Sequence, residues 1–162
     1  MMCMGTKTLI YSIALSAVMN LAALTSCSNK HASVAEFCDI PQQGWVYGNA
    51  LEYQPRGLDS VALRTLLLTV RHSNAYPYRN IWLEVTTNTM GVKTIDTLNI
   101  ELADVYGRWH GSGFGPSYQY ETAVGAPKIL GDSSKIAVRH IMRVDTLREV
   151  EQIGFTINRA KP

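Results

Sequence analysis

Charged residues are scarce in this sequence of 162 residues, and neither sign is in clear excess. Lys and Arg number 15 against 13 Asp and Glu, and charged residues make up only 17% of the chain. Nucleic acids are bound mainly through many Lys and Arg that neutralise phosphates, so this balance excludes nucleic acid as the expected partner. The chain also has no run of like charge that would indicate a disordered tail or a basic arm.

Recognisable catalytic and metal-binding motifs are missing as well. The patterns GxSxG, HExxH and DxDxDG do not occur. The four histidines never lie within four residues of one another, so a zinc site has no local support. The glycine-rich stretch 111–115 lacks the Lys-Ser/Thr pair of a phosphate loop, and Pro116 follows it. We therefore interpret it as a connection within a sheet, and we expect no catalytic residue, metal or cofactor.

Apolar residues, by contrast, are concentrated at the start of the chain. Residues 1–26 include 17 apolar residues and only one charged residue, Lys7. The 22 residues that follow Lys7 are all uncharged. That length could barely span a bilayer, and Ser12, Ser16 and Asn20 interrupt it. The short basic start, the apolar centre and the small residues at its end favour a secretory signal.

The end of this segment predicts lipid attachment. Leu24-Thr25-Ser26-Cys27 resembles a bacterial lipobox, in which the Cys is diacylated through its sulfur and becomes the mature N-terminus. Several acyl chains hold a protein stably on a membrane, which one chain does not. We expect a lipoprotein signal peptide over 1–26, the lipidated Cys27 with a tether over 27–35, and one domain over 36–162. The alternative is a plain signal peptide or an uncleaved anchor with an accidental Cys.

The residues after Cys27 indicate where the lipoprotein resides. Ser28 is typical of lipoproteins that are passed to the outer membrane, and residues 28–33 contain no acidic residue. In some groups of bacteria, surface-exposed lipoproteins typically carry acidic residues there, so we expect the periplasmic face. Once Cys3 is removed and Cys27 is lipidated, Cys38 is the one remaining thiol and cannot form an internal disulfide. The domain must then be stabilised by its core, with Cys38 as a packed apolar thiol.

The rest of the chain has the pattern of short β-strands. Ile81, Leu83 and Val85 alternate with Trp82 and more polar residues, which is typical of a half-buried strand. A hairpin turn is predicted at 88–91 and a turn at 73–79, while 145–151 could form one helical turn at most. Seven or eight such strands indicate a single antiparallel β-sandwich, immunoglobulin-like or jelly-roll-like. The segments that show the strand pattern most clearly are 63–72, 80–87, 92–102 (one or two strands), 118–124, 135–143 and 153–158.

Aromatic residues suggest a binding surface. Of the thirteen that follow Cys27, eleven lie between Trp45 and Tyr120. Trp82 is expected on the outer face of its strand, where an exposed indole could bind a peptide or a sugar. The alternative is that these rings fill a second face under a long loop. The loops 73–79 and 104–118 are the best interaction surface, and the candidate contact residues are Tyr76, Tyr78, Trp82, Trp109 and Phe114.

Three segments of the chain, DIPQQGW at 39–45, NAYPYRNIW at 74–82 and GRWHGSGFG at 107–115, resemble the GldH-type gliding-motility lipoproteins of the Bacteroidetes. Relatives commonly have Asp-Leu-Tyr after the third segment, whereas only Tyr118 is kept here. The resemblance implies a non-enzymatic lipoprotein that binds envelope proteins of the gliding and type IX secretion apparatus. Some members occur in bacteria that do not glide. A glycan- or peptide-binding envelope lipoprotein is the alternative.

The same resemblance implies candidate modification sites. Bacteroidetes O-glycosylate secreted proteins at Asp followed by Ser or Thr and then an aliphatic or small residue. Three tripeptides fit this pattern, with Ser60, Thr97 and Thr146 as the acceptors.

Overall fold

The computed structural model describes residues 33–58 and 60–160, which form strands, turns and loops without any helix. Within those residues there is accordingly no helix able to span a bilayer. The expected signal peptide, Cys27 and Asp59 lie outside the described residues. The strands are β1 (Val34–Asp39), β2 (Trp45–Val46), β3 (Leu51–Tyr53), β4 (Ala62–Ser73), β5 (Asn80–Thr89), β6 (Val92–Glu101), β7 (Ser112–Phe114), β8 (Ser117–Ala123), β9 (Lys128–Leu130), β10 (Lys135–His140), β11 (Thr146–Leu147) and β12 (Val150–Arg159).

The strands form two main antiparallel sheets. The larger sheet has the order β1-β12-β4-β8-β7, with β9 also paired to β4. The smaller sheet has the order β3-β10-β5-β6, and β2 pairs with β11 in a separate ribbon. Their inner faces share one apolar core, a sandwich-like arrangement. The all-β, antiparallel fold class predicted from the sequence is confirmed.

Alternation along the strands builds the core. Ile81, Leu83 and Val85 of β5 are fully buried, as are Leu68 and Val70 of β4. Each such side chain contributes about 1.5–3 kcal/mol when it is removed from water. The predicted faces of β5 are therefore confirmed.

Tyr53 joins the two sheets across this core. Its hydroxyl, on β3, donates a hydrogen bond of 2.8 Å to the carbonyl of Ile153 on β12. Its ring meets Phe155 edge-on, with 5.0 Å between the centroids. Burial is the main cause that raises the pKa of Tyr53, so the phenol stays neutral and can keep donating.

The six predicted strand segments correspond to β4, β5, β6, β8, β10 and β12, although β10 already ends at His140. The sequence pattern did not indicate β1, whose first residue, Val34, lies within the expected tether and pairs with Ile157. Residues 145–151 form no helical turn, because Leu147 is buried and pairs with Trp45 instead. The backbone then turns at Glu149, whose φ is +67°.

The predicted hairpin turn at 88–91 is present between β5 and β6. Thr89 pairs with Val92, which leaves Met90 and Gly91 as a two-residue turn. Their φ angles are +52° and +83°, as a type I′ turn requires.

Strand register gives the sandwich two distinct ends. The entry end contains the start of β1 at Val34 and the turn at Met90, and both Val34 and Asn88 line one cleft there. The motif end is opposite, where β1, β4 and β6 finish and where β8 and β12 begin. The three segments 39–45, 74–82 and 107–115 all lie at the motif end.

Candidate binding surface at the motif end

Backbone hydrogen bonds hold the loops of the motif end together. The amide of Asn74 donates to the carbonyl of Pro116 at 2.6 Å, which ties the second segment to the turn after the third. The amides of Leu102 and Ala103 donate to the carbonyl of Arg79 at 2.8 and 3.0 Å. The two loops that the sequence pointed to, 73–79 and 104–118, are therefore neighbours in space.

A histidine lies at the centre of this loop assembly. His72 is fully buried at the end of β4, and its Nδ1 lies 2.9 Å from the carbonyl oxygen of Ser73. The centroid of its ring lies 4.6 Å from that of Trp109, 5.5 Å from Tyr76 and 6.0 Å from Tyr118. Tyr78 extends the group by packing edge-on against Tyr76 at 5.7 Å. These five residues are called the His72 cluster below.

Glycines allow the loop 107–115 to lie directly on β8. A Cβ atom at Gly111 would stand 2.1 Å from the carbonyl oxygen of Gln119, and one at Gly113 would stand 2.7 Å from the ring of Tyr118. Gly111 also has a φ of +82°. The expected sheet connection is corrected in one respect, because residues 112–114 form the strand β7, which pairs with β8 at the edge of the larger sheet.

The carboxylate of Asp104 holds the loop before β7 together through several hydrogen bonds. Asp104 Oδ1 accepts hydrogen bonds from the amides of Tyr106 and Arg108 at 2.8 and 2.9 Å. The Arg108 guanidinium donates to Oδ2 at 3.0 Å and lies 5.7 Å from the centroid of the Tyr106 ring. The hydrogen bond from the Arg108 amide is the main reason that the pKa of Asp104 lies below its ordinary value. The carboxylate therefore remains charged and keeps the loop in one shape.

The five predicted contact residues occupy different environments. Phe114 is 93% exposed at the end of β7, and Trp82 is 40% exposed on the outer face of the smaller sheet. Tyr78 and Trp109 are half-buried in the His72 cluster. Tyr76 is buried, with its hydroxyl 3.2 Å from the carbonyl of Asn80, so it supports the loops from below. The structure thus brings Tyr76, Tyr78 and Trp109 together and places Trp82 elsewhere.

Two of the most exposed apolar residues were not singled out from the sequence. Tyr106 is 82% exposed, and Val105 beside it is largely exposed too. The spacing of Asp104 and Gly107 in the sequence could have indicated this tight turn. An Asp side chain accepts hydrogen bonds from backbone amides in turns, and Gly readily adopts a positive φ. The predicted loop 104–118 included both residues, but only its Trp109 and Phe114 were named.

The three candidate glycosylation acceptors differ in accessibility. Ser60 is exposed in the loop before β4, although the preceding Asp59 lies outside the described residues. Thr97 is exposed on β6, and Asp96 beside it is paired with Lys128 at 2.9 Å. Thr146 is half-buried in β11. Ser60 and Thr97 therefore offer accessible hydroxyls, and Thr146 offers a hindered one.

Metal ligands do not converge at the motif end. Across 33–58 and 60–160, no three His, Cys, Asp or Glu side chains come together as a metal site would require.

Two buried histidines make the motif end sensitive to acid. Burial is the main cause that lowers the pKa of both His72 and His140 below the ordinary 6.5. The folded state then keeps both neutral, while the unfolded chain takes up protons first as the pH falls. Their contribution to stability is thus present above pH 6.5 and is lost as the pH falls from there toward the lowered pKa values.

We expect the free energy of unfolding to fall by about 1.4 kcal/mol per pH unit for each of these histidines in that range. His72→Phe keeps an aromatic ring and should remove one histidine's share of this slope. Urea unfolding at about pH 7.5 and about pH 5.5 measures the slope. His110→Phe is the matched control, because His110 is half-buried on Tyr120 at the same end. An equal change of slope in both variants would contradict the assignment to His72.

Comparison with known proteins identifies the family. The family model described as GldH lipoprotein matches residues 32–157. The chain belongs to the GldH lipoprotein family. A curated relative, the gliding motility lipoprotein GldH homolog of Christiangramia forsetii, is 24% identical over 153 residues, which cover 88% of this chain and 93% of the relative. The GldH resemblance expected from the three segments is confirmed.

Family membership bears on anchoring and on chemistry. GldH proteins are lipoproteins, so this chain is anchored to a membrane of the cell envelope. The GldH family is not defined by an enzymatic activity. The matched region begins at residue 32, after the lipobox, so lipidation at Cys27 stays a prediction.

Proposed function

We propose that this GldH family member is an outer-membrane lipoprotein, anchored through Cys27 on the periplasmic face, that binds envelope proteins of the gliding and type IX secretion apparatus. The printed name of the Christiangramia relative supports the link to gliding motility. The observation that carries the binding role is the set of exposed rings at the motif end, opposite the point where the chain enters the domain.

The position of the anchor favours this arrangement. Six residues separate Cys27 from Val34, so the lipid and the start of β1 can be at most about 25 Å apart. Because β1 starts at the entry end, that end lies near the membrane and the motif end faces away from it. Confinement to a surface raises the effective concentration near other envelope proteins, so a modest intrinsic affinity suffices.

The chemistry of the motif end suits protein partners. Phe114 and Tyr106 display rings that are almost fully exposed, and exposed aromatics of this kind often become the anchors of an interface. Both are held by rigid elements, the β7–β8 pairing and the Asp104 hydrogen bonds. A rigid apolar surface loses little conformational freedom on binding.

The proposal is tested by removing the two exposed rings. Phe114→Ser combined with Tyr106→Ser should leave folding intact, because neither side chain is part of the core, and should reduce the recovery of gliding or secretion proteins at least tenfold, which is about 1.4 kcal/mol. The measurement is affinity purification of the tagged lipoprotein from envelope extract, followed by mass spectrometry.

Ile129→Ser is the matched control, since Ile129 is an exposed apolar residue of β9 at the entry end. Undiminished recovery with the double variant would contradict a partner site at the motif end. Recovery of no gliding or secretion protein with the unaltered chain would contradict the proposed function itself.

The exposure of Trp82 supports a second candidate, binding of glycans or peptides on the outer face of the smaller sheet. Titration of tryptophan fluorescence with oligosaccharides tests it, and the response should disappear in Trp82→Ala. For glycosylation, the accessibility of Ser60 favours it over Thr146 as an acceptor.

A further inference from the structure

The turn between β5 and β6 displays apolar side chains at the entry end. Met90 is 77% exposed and Val92 is 67% exposed. A type I′ turn favours Asn-Gly or Asp-Gly, because both central residues need a positive φ. Met90 adopts a φ of +52° without the local hydrogen bonds that make Asn tolerant of it. Met90 is thus unfavourable both for the backbone conformation of the turn and for exposure to water. This combination indicates that its side chain has a role outside the domain.

Two lysines lie beside this turn on one face of the smaller sheet. Lys93 on β6 and Lys135 on β10 are both in register with Asn88 on β5, one on each side. Side chains in register on neighbouring strands point to the same face, so the two ammonium groups flank the base of the turn. Both lysines are exposed. An exposed apolar tip with flanking cations is the chemistry that fits the interface of an anionic bilayer.

The chain that leads to the lipid leaves the domain at the same place. Val34 at the start of β1 lines an open cleft of about 700 Å³ together with Asn88 and Lys135. The six residues before Val34 limit the distance to Cys27 to about 25 Å. A bilayer that holds the lipid on Cys27 is therefore within reach of the turn.

We propose that the entry end of the domain lies on the membrane, with Met90 and Val92 inserted among the lipid headgroups and with Lys93 and Lys135 facing anionic phosphates. This rests on the proposed lipidation of Cys27. The contact would be weak for a free domain, but the anchor makes it intramolecular. It fixes the orientation of the sandwich, so that the motif end is held outward.

The experiment uses the lipoprotein purified from membranes and reconstituted into vesicles of phosphatidylethanolamine and phosphatidylglycerol with brominated acyl chains, which quench indole fluorescence on contact. Met90→Trp places an indole at the tip of the turn. Tyr106→Trp is the matched control, an equally exposed position at the motif end. We expect the indole introduced at 90 to be quenched several-fold more strongly than the one introduced at 106. Replacing Lys93 and Lys135 by Ala should reduce that quenching only where phosphatidylglycerol is present.

The outcomes separate this inference from the proposal on which it rests. If the protein stays in the vesicles and neither indole is quenched, or both are quenched alike, the docked orientation is wrong while the anchor stands. If the protein does not stay with the vesicles at all, both the anchor and the docked orientation fail. If the indole at 90 instead shifts to the blue in lipid-free detergent as protein concentration rises, the turn contacts a second copy, and the inference is overturned.

Discussion

Gly111→Ala is expected to destabilise the domain by about 2–5 kcal/mol, a large share of the 5–15 kcal/mol that typically stabilises a domain. Two costs add. A Cβ atom at this position would lie 2.1 Å from the carbonyl oxygen of Gln119, so β7 would have to move away from β8, at a cost of about 1–3 kcal/mol for overpacking. The φ of +82° adds about 1–2 kcal/mol for a residue with a side chain.

Gly107→Ala is the matched control for the first of these costs. Gly107 has nearly the same φ, +80°, in the same loop, but nothing lies within 4 Å of a Cβ atom there. We therefore expect a loss of only about 1–2 kcal/mol, from the backbone conformation alone. Urea unfolding of the two variants measures the difference. Equal losses would show that the close approach to Gln119 does not constrain the loop.

Cys27→Ala is expected to have the largest effect on localisation. Without the thiol there is no site for the diacylglyceryl group, so the variant should incorporate no labelled palmitate and should leave the membrane fraction. The acyl chains contribute about 0.8 kcal/mol for each buried methylene, which no surface contact of the domain can replace. Metabolic labelling followed by fractionation of the cells measures both effects.

Cys38→Ala is the control for Cys27→Ala. Cys38 is a free thiol, half-buried on β1, and its replacement should leave palmitate labelling and fractionation unchanged. A Cys27→Ala protein that remains in the membrane with its N-terminal segment attached would show that the segment is an uncleaved anchor, and would contradict the lipoprotein assignment at this position.

The longer strands could be predicted from the sequence because burial on one face leaves a period of two. Ile81, Leu83 and Val85 illustrate this, since all three are buried on one face of β5. The pattern fails at β1, an edge strand whose more buried residues include Glu36. It fails again at the two-residue strands β2 and β11, which exist because Trp45 and Leu147, distant in sequence, are buried side by side.

The candidate surface could be predicted only in outline. The sequence indicated the segments 73–79 and 104–118 as loops but did not indicate the strand β7 within the second. A count of aromatic rings also does not distinguish the buried Tyr76 from the exposed Phe114. Tyr76 and Trp109 lie beneath the loops because their rings pack against His72. No local sequence pattern indicates these contacts. The folded structure was therefore needed to show which of the aromatic rings are exposed at the surface.

The position of β12 between β1 and β4 has a consequence for export. β12 is the last of the described strands in chain order, yet it supplies the partner of β1 and one partner of β4. For a chain exported as proposed above, the larger sheet therefore cannot be completed until residues 150–159 have crossed the inner membrane. Long-range pairing of this kind also forms slowly. If the proposed lipidation of Cys27 takes place during export, it acts on a polypeptide whose larger sheet is still incomplete, and the domain finishes folding only after it has been attached to a membrane.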